Sequence, residues 1–218
     1  MSRPLVIAVD GPAGSGKSTL ARMLAEHFRL AFLDTGLLYR GVARTLLDRG
    51  HMAADAAAAI EAARSLTPED VVPARLRGEG IGQGASIVAA IPEVRAALLP
   101  FQRHFAATGR GAVLAGRDVG TVICPDAAFK LFVTASDAER VRRRFEELRT
   151  RGDAPIYAAV LAELQERDRR DADRAVAPMR VATDAWVLDT TDLDAQAAFA
   201  AAREHIEAGL AEIGAPVA

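Results

Sequence analysis

The feature that most constrains this chain is a glycine-rich octamer set between an apolar run and an amphipathic one. Leu5-Val6-Ile7-Ala8-Val9 is apolar throughout and β-branched at alternate positions, the pattern of a short strand buried on both faces. Gly11-Pro12-Ala13-Gly14-Ser15-Gly16-Lys17-Ser18 follows, and then Leu20, Met23, Leu24, His27 and Phe28 recur at helical spacing. The octamer fits G-x-x-x-x-G-K-[ST], the phosphate-binding P-loop, in the strand–turn–helix context that the motif needs. Its backbone can curl so that several N–H groups point at one anion, and the helix N-terminus adds its dipole. Lys17 is one of two lysines; the other is Lys130, so arginine supplies 25 of the 27 basic residues. A lysine kept here in so arginine-rich a chain indicates a need for a compact point charge that reaches between phosphate oxygens. The Ser18 hydroxyl is positioned to bind Mg²⁺ bridging those phosphates.

The rest of the chain alternates strand and helix patterns. Strands are expected at Leu5–Val9, Ala31–Leu33, Ala112–Ala115, Phe129–Thr134 and Trp186–Asp189. Helices are expected from Lys17 to about Phe28, over Leu37–Leu47, Ala54–Leu66, Ser86–Ala90, Glu93–Ala107, Asp137–Arg151, Ile156–Asp171 and Asp194–Ala211. Residues Thr67–Gly84, with two prolines and four glycines, read as irregular. Such alternation implies an α/β fold of the P-loop type, three layers deep, with helices on both faces of a parallel five-stranded sheet and ligands beyond the strand C-termini. At 218 residues, half of them hydrophobic, one domain with small appendages is expected. The core would comprise residues 1–36, 108–140 and 184–218, with a small acceptor-binding region at 37–107 and a helical lid at about 150–178.

A net charge of −2 gives no general reason to bind nucleic acid or an anionic membrane. No apolar segment is long enough to span a bilayer and the N-terminus lacks a signal-peptide pattern. Cys124 is the one cysteine; it excludes an internal disulfide and fits a reducing cytoplasm. Its expected role is a small buried apolar side chain.

A P-loop alone says only that phosphate is bound. The discriminating feature is arginine after other strands. Arg40 lies one turn into the helix after Asp34-Thr35-Gly36, Arg117-Asp118 follows the third strand, and the segment Arg167-Asp168-Arg169-Arg170-Asp171-Ala172-Asp173-Arg174 is dense in both signs. Arginines from separate elements facing one P-loop suit phosphoryl transfer between two phosphorylated substrates. Each also has a surface reading: Arg40 as a solvated helix residue, Arg117-Asp118 as a self-paired couple, and 167–174 as a charged helix face. Tyr39 reads as packing.

Several blocks together resemble the bacterial cytidylate kinase family. They are Asp10–Thr19, Leu33-Asp34-Thr35-Gly36 with Tyr39-Arg40, Gly116-Arg117-Asp118-Val119-Gly120-Thr121-Val122 with Pro125-Asp126-Ala127, and Glu166-Arg167-Asp168 through Arg174-Ala175-Val176-Ala177-Pro178. The resemblance runs from about Val6 to Thr190. It implies transfer of the γ-phosphoryl of ATP to CMP or dCMP, with Mg²⁺, in a cytoplasmic monomer. By position it gives the ATP phosphates to Gly11, Pro12, Ala13, Gly14, Ser15, Gly16, Lys17, Ser18 and Thr19. Thr35, Arg40, Arg117 and Arg174 would surround the acceptor phosphate. Ser86, Arg95 and Asp118 would read the cytosine edge, and Arg167 with Asp171 the ribose, while Arg170 would face the phosphates from the lid. Lys17, Arg117, Arg170 and Arg174 would carry the catalysis. One departure from the family is the short 67–84 segment, where many members carry an insert with small strands. A kinase for another small acceptor and a nucleotide-dependent switch remain as alternatives on the motifs alone.

Overall fold

The computed structural model describes residues 4–76 and 80–212. Five strands, β1 (Leu5–Asp10), β2 (Ala31–Asp34), β3 (Gly111–Gly116), β4 (Phe129–Thr134) and β5 (Trp186–Asp189), form one sheet in the order β2-β3-β1-β4-β5, every neighbouring pair parallel. β1 and β3 run side by side from Leu5↔Gly111 to Asp10↔Gly116 at the sheet's centre. β1 carries no polar side chain before Asp10 and β3 carries none, as suits strands covered on both faces.

Eight α-helices complete the described residues: α1 (Lys17–His27), α2 (Gly36–Asp48), α3 (Ala56–Arg64), α4 (Ile81–Val88), α5 (Pro92–Ala107), α6 (Asp137–Thr150), α7 (Tyr157–Asp173) and α8 (Ala195–Glu212). α1 and α8 cover one sheet face, where Leu20, Leu24, Phe28, Ile206 and Leu210 pack on Ile7, Val9, Leu131 and Val133. α5 lies on the other face, with Ala106 against Ala8, Ala112 and Leu114. Local signals set the helix starts: Asp55 accepts from the Ala58 N–H at 3.1 Å, Ser136 accepts from the Glu139 N–H at 3.3 Å, and Pro92 opens α5.

Helices α2 to α5 enclose a second apolar cluster beside the sheet, built on Leu38, Val42, Leu46, Ala62, Val88 and Leu98. A third, small cluster joins the hairpin α6–α7 to the P-loop: Ala13 packs with Val141, Val160 and Leu164. The segment expected to be irregular is a single 3₁₀ turn, Pro68–Val71, followed by loop; residues 77–79 lie outside the described residues. α4 begins at Ile81, earlier than the expected Ser86, because this segment packs on α2 in spite of the poor helix propensity of Gly82 and Gly84: a side chain at Gly84 would meet Ala43. Sequence reading also missed the π-helical turn at Val119–Ile123. Asp10 organises it by accepting the Val119 and Gly120 N–H groups at 2.8 and 2.7 Å. Burial pushes the Asp10 carboxyl up to about 6 in spite of those bonds.

Candidate active site

The P-loop leaves β1 and turns back over the C-terminal edge of the sheet. Gly11 has φ +149°, and a Cβ there would sit 2.0 Å from the Val133 carbonyl oxygen, so only glycine fits. Gly14 has φ +76° and lies against the backbone of α6 at Arg140. Lys17 is 8% exposed and donates to the Pro12 carbonyl at 3.1 Å, the curled geometry the motif needs. Burial first, and then the Arg117 charge, hold its ammonium well below the usual lysine range.

A cavity of about 560 Å³ opens in front of this loop. Ala13, Gly14, Gly16, Lys17, Ser18 and Thr19 line its floor, whereas Gly11, Pro12 and Ser15 lie behind. β2 and α2 contribute Asp34, Thr35, Tyr39 and Arg40; α4 and α5 contribute Ser86 and Arg95; the β3 end contributes Arg117 and Asp118; α7 and its C-cap contribute Arg167, Asp171 and Arg174. Thus residues from seven separate elements, spread over 160 positions of sequence, meet in one place.

Their arrangement is a set of buried charge pairs. Asp118, 4% exposed, accepts from Arg95 Nη2 on one oxygen and from Arg174 Nη2 at 3.1 Å on the other. Arg95 also lies over the Tyr39 ring at 5.5 Å, so Tyr39 backs the cavity wall as well as packing. Asp171, also 4% exposed, accepts from Arg117 Nε at 2.9 Å and from the Ser86 hydroxyl at 3.3 Å, with Arg167 Nε at 4.0 Å. Burial raises the Asp171 carboxyl, but Arg117, Arg167 and Arg174 outweigh it and hold it below the usual carboxylate range. Burial brings Arg167 down to about 9 and lowers Arg40 and Arg174 as well. Arg40 has no ion-pair partner among the described residues. Thr35 donates its hydroxyl proton to the Ala115 carbonyl at 2.9 Å and keeps its lone pairs for the cavity.

The surface reading of Arg117-Asp118 fails, and one grouping differs from the expectation by position. Arg117 and Asp118 are not a self-paired couple: their side chains diverge to Asp171 and to Arg95 with Arg174. Ser86 meets Asp171, not Asp118. Arg170 is absent from the cavity wall; it donates to Gln83 Oε1 at 3.2 Å and to Glu166 at 3.0 Å. Cys124 is half-buried among apolar neighbours, its thiol pushed up to about 11 by burial.

Sequence reading missed the contribution of α6. Arg143, Arg144, Glu147 and Arg151 line the same cavity, with Glu147 accepting from both Arg144 (2.7 Å) and Arg151. In sequence they look like a solvated face laced by i,i+3 and i,i+4 pairs, and nothing local distinguishes them from one. A second cavity of about 300 Å³ lies across the loop, between Gly16, Thr19, Leu20, Arg142 and Arg143 and the chain at Thr190–Asp194. Arg143 borders both cavities and donates to Thr190 Oγ1 at 3.0 Å.

In total ten basic side chains face four carboxylates in the larger cavity, an excess that matches a ligand carrying several negative charges. Asp118, Asp171 and Glu147 are each held by arginine; Asp34 is not, accepting only the Gly36 N–H at 3.0 Å among the described residues. No group of three His, Cys, Asp or Glu side chains among the described residues could by itself hold a metal ion.

Comparison with known proteins agrees with this geometry. Residues 7–208 match the family model for cytidylate kinase. The chain is 60% identical to a cytidylate kinase of Methylocella silvestris over 203 residues, 93% of this chain and 94% of the relative. It is 57% identical to one from Paramagnetospirillum magneticum (90% and 95% covered) and 51% identical to one from Brucella suis (96% and 95%). Among solved structures, an uncharacterized protein from Eubacterium ventriosum aligns with a TM-score of 0.55 at 16% identity, covering 93% of this chain and 98% of that one. TT1252 from Thermus thermophilus aligns at 0.50 and 23%, covering 96% and 99%. These two share the fold; the sequence relatives and the family model carry more, and the chain belongs to the cytidylate kinase family.

Proposed function

We propose that this protein transfers the γ-phosphoryl group of ATP to CMP or dCMP, giving ADP and CDP or dCDP. The observation that carries the reading is Asp118, a buried carboxylate fixed by Arg95 and Arg174 in the wall of the cavity that the P-loop floors. A carboxylate can only accept, so it complements the amino group of cytosine and opposes the O4 of uracil. Arg95 would supply a donor to N3 or O2, and the Ser86 hydroxyl, which donates to Asp171 here, would turn to supply the other.

The donor phosphates would lie on Ala13–Thr19 and the donor nucleoside in the smaller cavity past Gly16 and Arg143. The acceptor phosphate would lie among Thr35, Arg40, Arg117 and Arg174. An oxygen of the acceptor phosphate attacks the γ-phosphorus in line, and the bond to the β,γ-bridging oxygen breaks as ADP departs. The attacking oxygen already belongs to an anion near neutral pH, so no general base is required. Lys17 and the arginines stabilise charge on the transferring group in a site closed to water. Burial lowers Lys17, Arg40, Arg167 and Arg174, and phosphate oxygens beside the Lys17 ammonium would favour its charged form.

Mg²⁺ fits the residues present. The Ser18 hydroxyl and the nucleotide's own phosphate oxygens would hold it, and Asp34 is the one carboxylate of this wall not already neutralised by arginine. When bound, the ion neutralises phosphate charge. Arg167 and Asp171 would hold the ribose hydroxyls, and the hairpin of α6 and α7 would form the lid. No single helix among the described residues is long and apolar enough to cross a membrane. We read the protein as a cytoplasmic monomer acting on free nucleotides.

The test is ADP release measured with CMP, dCMP, UMP, AMP and no acceptor. Turnover with CMP and dCMP well above the other three supports the assignment; equal turnover with AMP, or none above the acceptor-free rate, overturns it.

A further inference from the structure

Arg140 takes no part in either cavity, yet it is 5% exposed and makes the connection that neither cavity explains. It stands one turn into α6. Its Nη1 donates to the Ala13 carbonyl of the P-loop at 3.1 Å and also to Asp168 Oδ2 on α7, while Nη2 donates to Asp137 Oδ1 at 2.5 Å. One planar guanidinium therefore spans the phosphate-binding loop and the helix of the hairpin. Around it the two pieces are already in contact, with Gly14 against the Arg140 backbone and Ala13 against Val141, Val160 and Leu164.

Asp168 is flanked on α7 by Arg167 and, one turn on, by Asp171, both in the wall of the larger cavity. A displacement of the P-loop carbonyl is thus passed through two charge-assisted bonds to the helix that carries acceptor-side residues. Arg140 and Asp168 side chains are 7% and 19% exposed, so solvent screens this pair less than the ion pairs elsewhere on α6. We propose that the Arg140–Asp168 pair is a positioning device that couples the two substrates: a donor nucleotide on the P-loop fixes α7 through Arg140 and so raises affinity for the acceptor.

The inference rests on the assignment of donor to the P-loop and acceptor to the larger cavity, and the two can fail separately. The experiment is calorimetric titration of the full chain with CMP, alone and with a saturating non-hydrolysable ATP analogue and Mg²⁺. In the wild type the analogue is expected to tighten CMP binding at least about fivefold, the lower end of ordinary coupling. In Asp168→Asn that ratio should fall below about twofold, while affinity for CMP alone changes little. Arg140→Lys, whose point charge cannot hold Ala13 and Asp168 together, should also lose most of it. A merely structural pair would weaken both ligands and leave the ratio untouched, and that result overturns the proposal. So does a wild-type ratio near one, or an Asp168→Asn ratio equal to wild type. Thermal unfolding checks the variants; if both are unfolded, the pair serves folding and the proposal is wrong. Failure of the wild type to bind CMP at all would instead sink the functional assignment beneath it.

Discussion

Asp118→Asn is the most informative single change, because one carboxylate holds two buried arginines and faces the proposed base. Arg95 and Arg174 are 6% and 8% exposed, and each loses half of a charge-assisted pair. Removing one partner of a buried ion pair costs about 3–5 kcal/mol. Asparagine keeps one accepting oxygen, and the arginines retain the Ala89 and Ala177 carbonyls, so a loss of about 3 kcal/mol is expected. For a chain of this size that corresponds to roughly 6–12 °C in Tm. The amide can turn an N–H toward uracil O4, so the CMP/UMP ratio of kcat/KM should drop by at least about 100-fold, a part of what a site built on hydrogen bonds can discriminate. Differential scanning calorimetry and steady-state kinetics with both acceptors measure the two effects. A Tm within 2 °C of wild type (a margin well below the roughly 6 °C expected) refutes the energetic argument. A large drop in Tm with an unchanged CMP/UMP ratio refutes the base assignment and leaves Asp118 a purely structural acid.

Lys17→Ala should lower kcat at least about 100-fold with the fold intact, since glycine and backbone geometry set the loop; near wild-type turnover in a folded variant would remove the P-loop from the mechanism. Asp10 carries a pH prediction with an unusual sign for a carboxylate. Its folded value, about 6, lies above the ordinary 3.8, so its favourable contribution is complete below about pH 4 and is lost as pH rises through 6. The difference amounts to about 3 kcal/mol, and Asp10→Asn should flatten the stability profile between pH 4 and 6 in urea titrations; an unchanged slope would contradict it. For the sugar, dCMP should be only a few-fold to about tenfold worse than CMP, the worth of one neutral hydrogen bond, and Asp171→Ala should impair both. A preference for CMP beyond about 1,000-fold would require a charged or multiply bonded reader of the 2′-hydroxyl.

Much of this protein is legible locally. The run Leu5–Val9, the glycines of the octamer and the helical spacing after Lys17 each specify a backbone geometry by themselves, and five such strand patterns separated by helices leave a parallel sheet as the only economical solution. Arg40, Arg117, Arg167 and Arg174 could be nominated from their places in the motif blocks and Arg95 by position from the family resemblance, and all of them line one cavity. What the chain's order does not contain is which acid each arginine meets. Arg117 and Asp118 are neighbours in sequence, yet they stand in the bend just past the end of β3 and their side chains diverge, and Asp171 and Arg174 arrive from more than 50 positions away. The same limit hid α6, whose Arg144, Glu147 and Arg151 have the spacing of any solvated helix until the hairpin folds them over the P-loop. Arg140 is the extreme case: it is one arginine among several on that helix, and only burial against the Ala13 carbonyl and Asp168 distinguishes it from its neighbours. Local sequence fixes backbone conformation because that depends on near neighbours; charge pairing depends on distances between remote segments, and packing alone decides those.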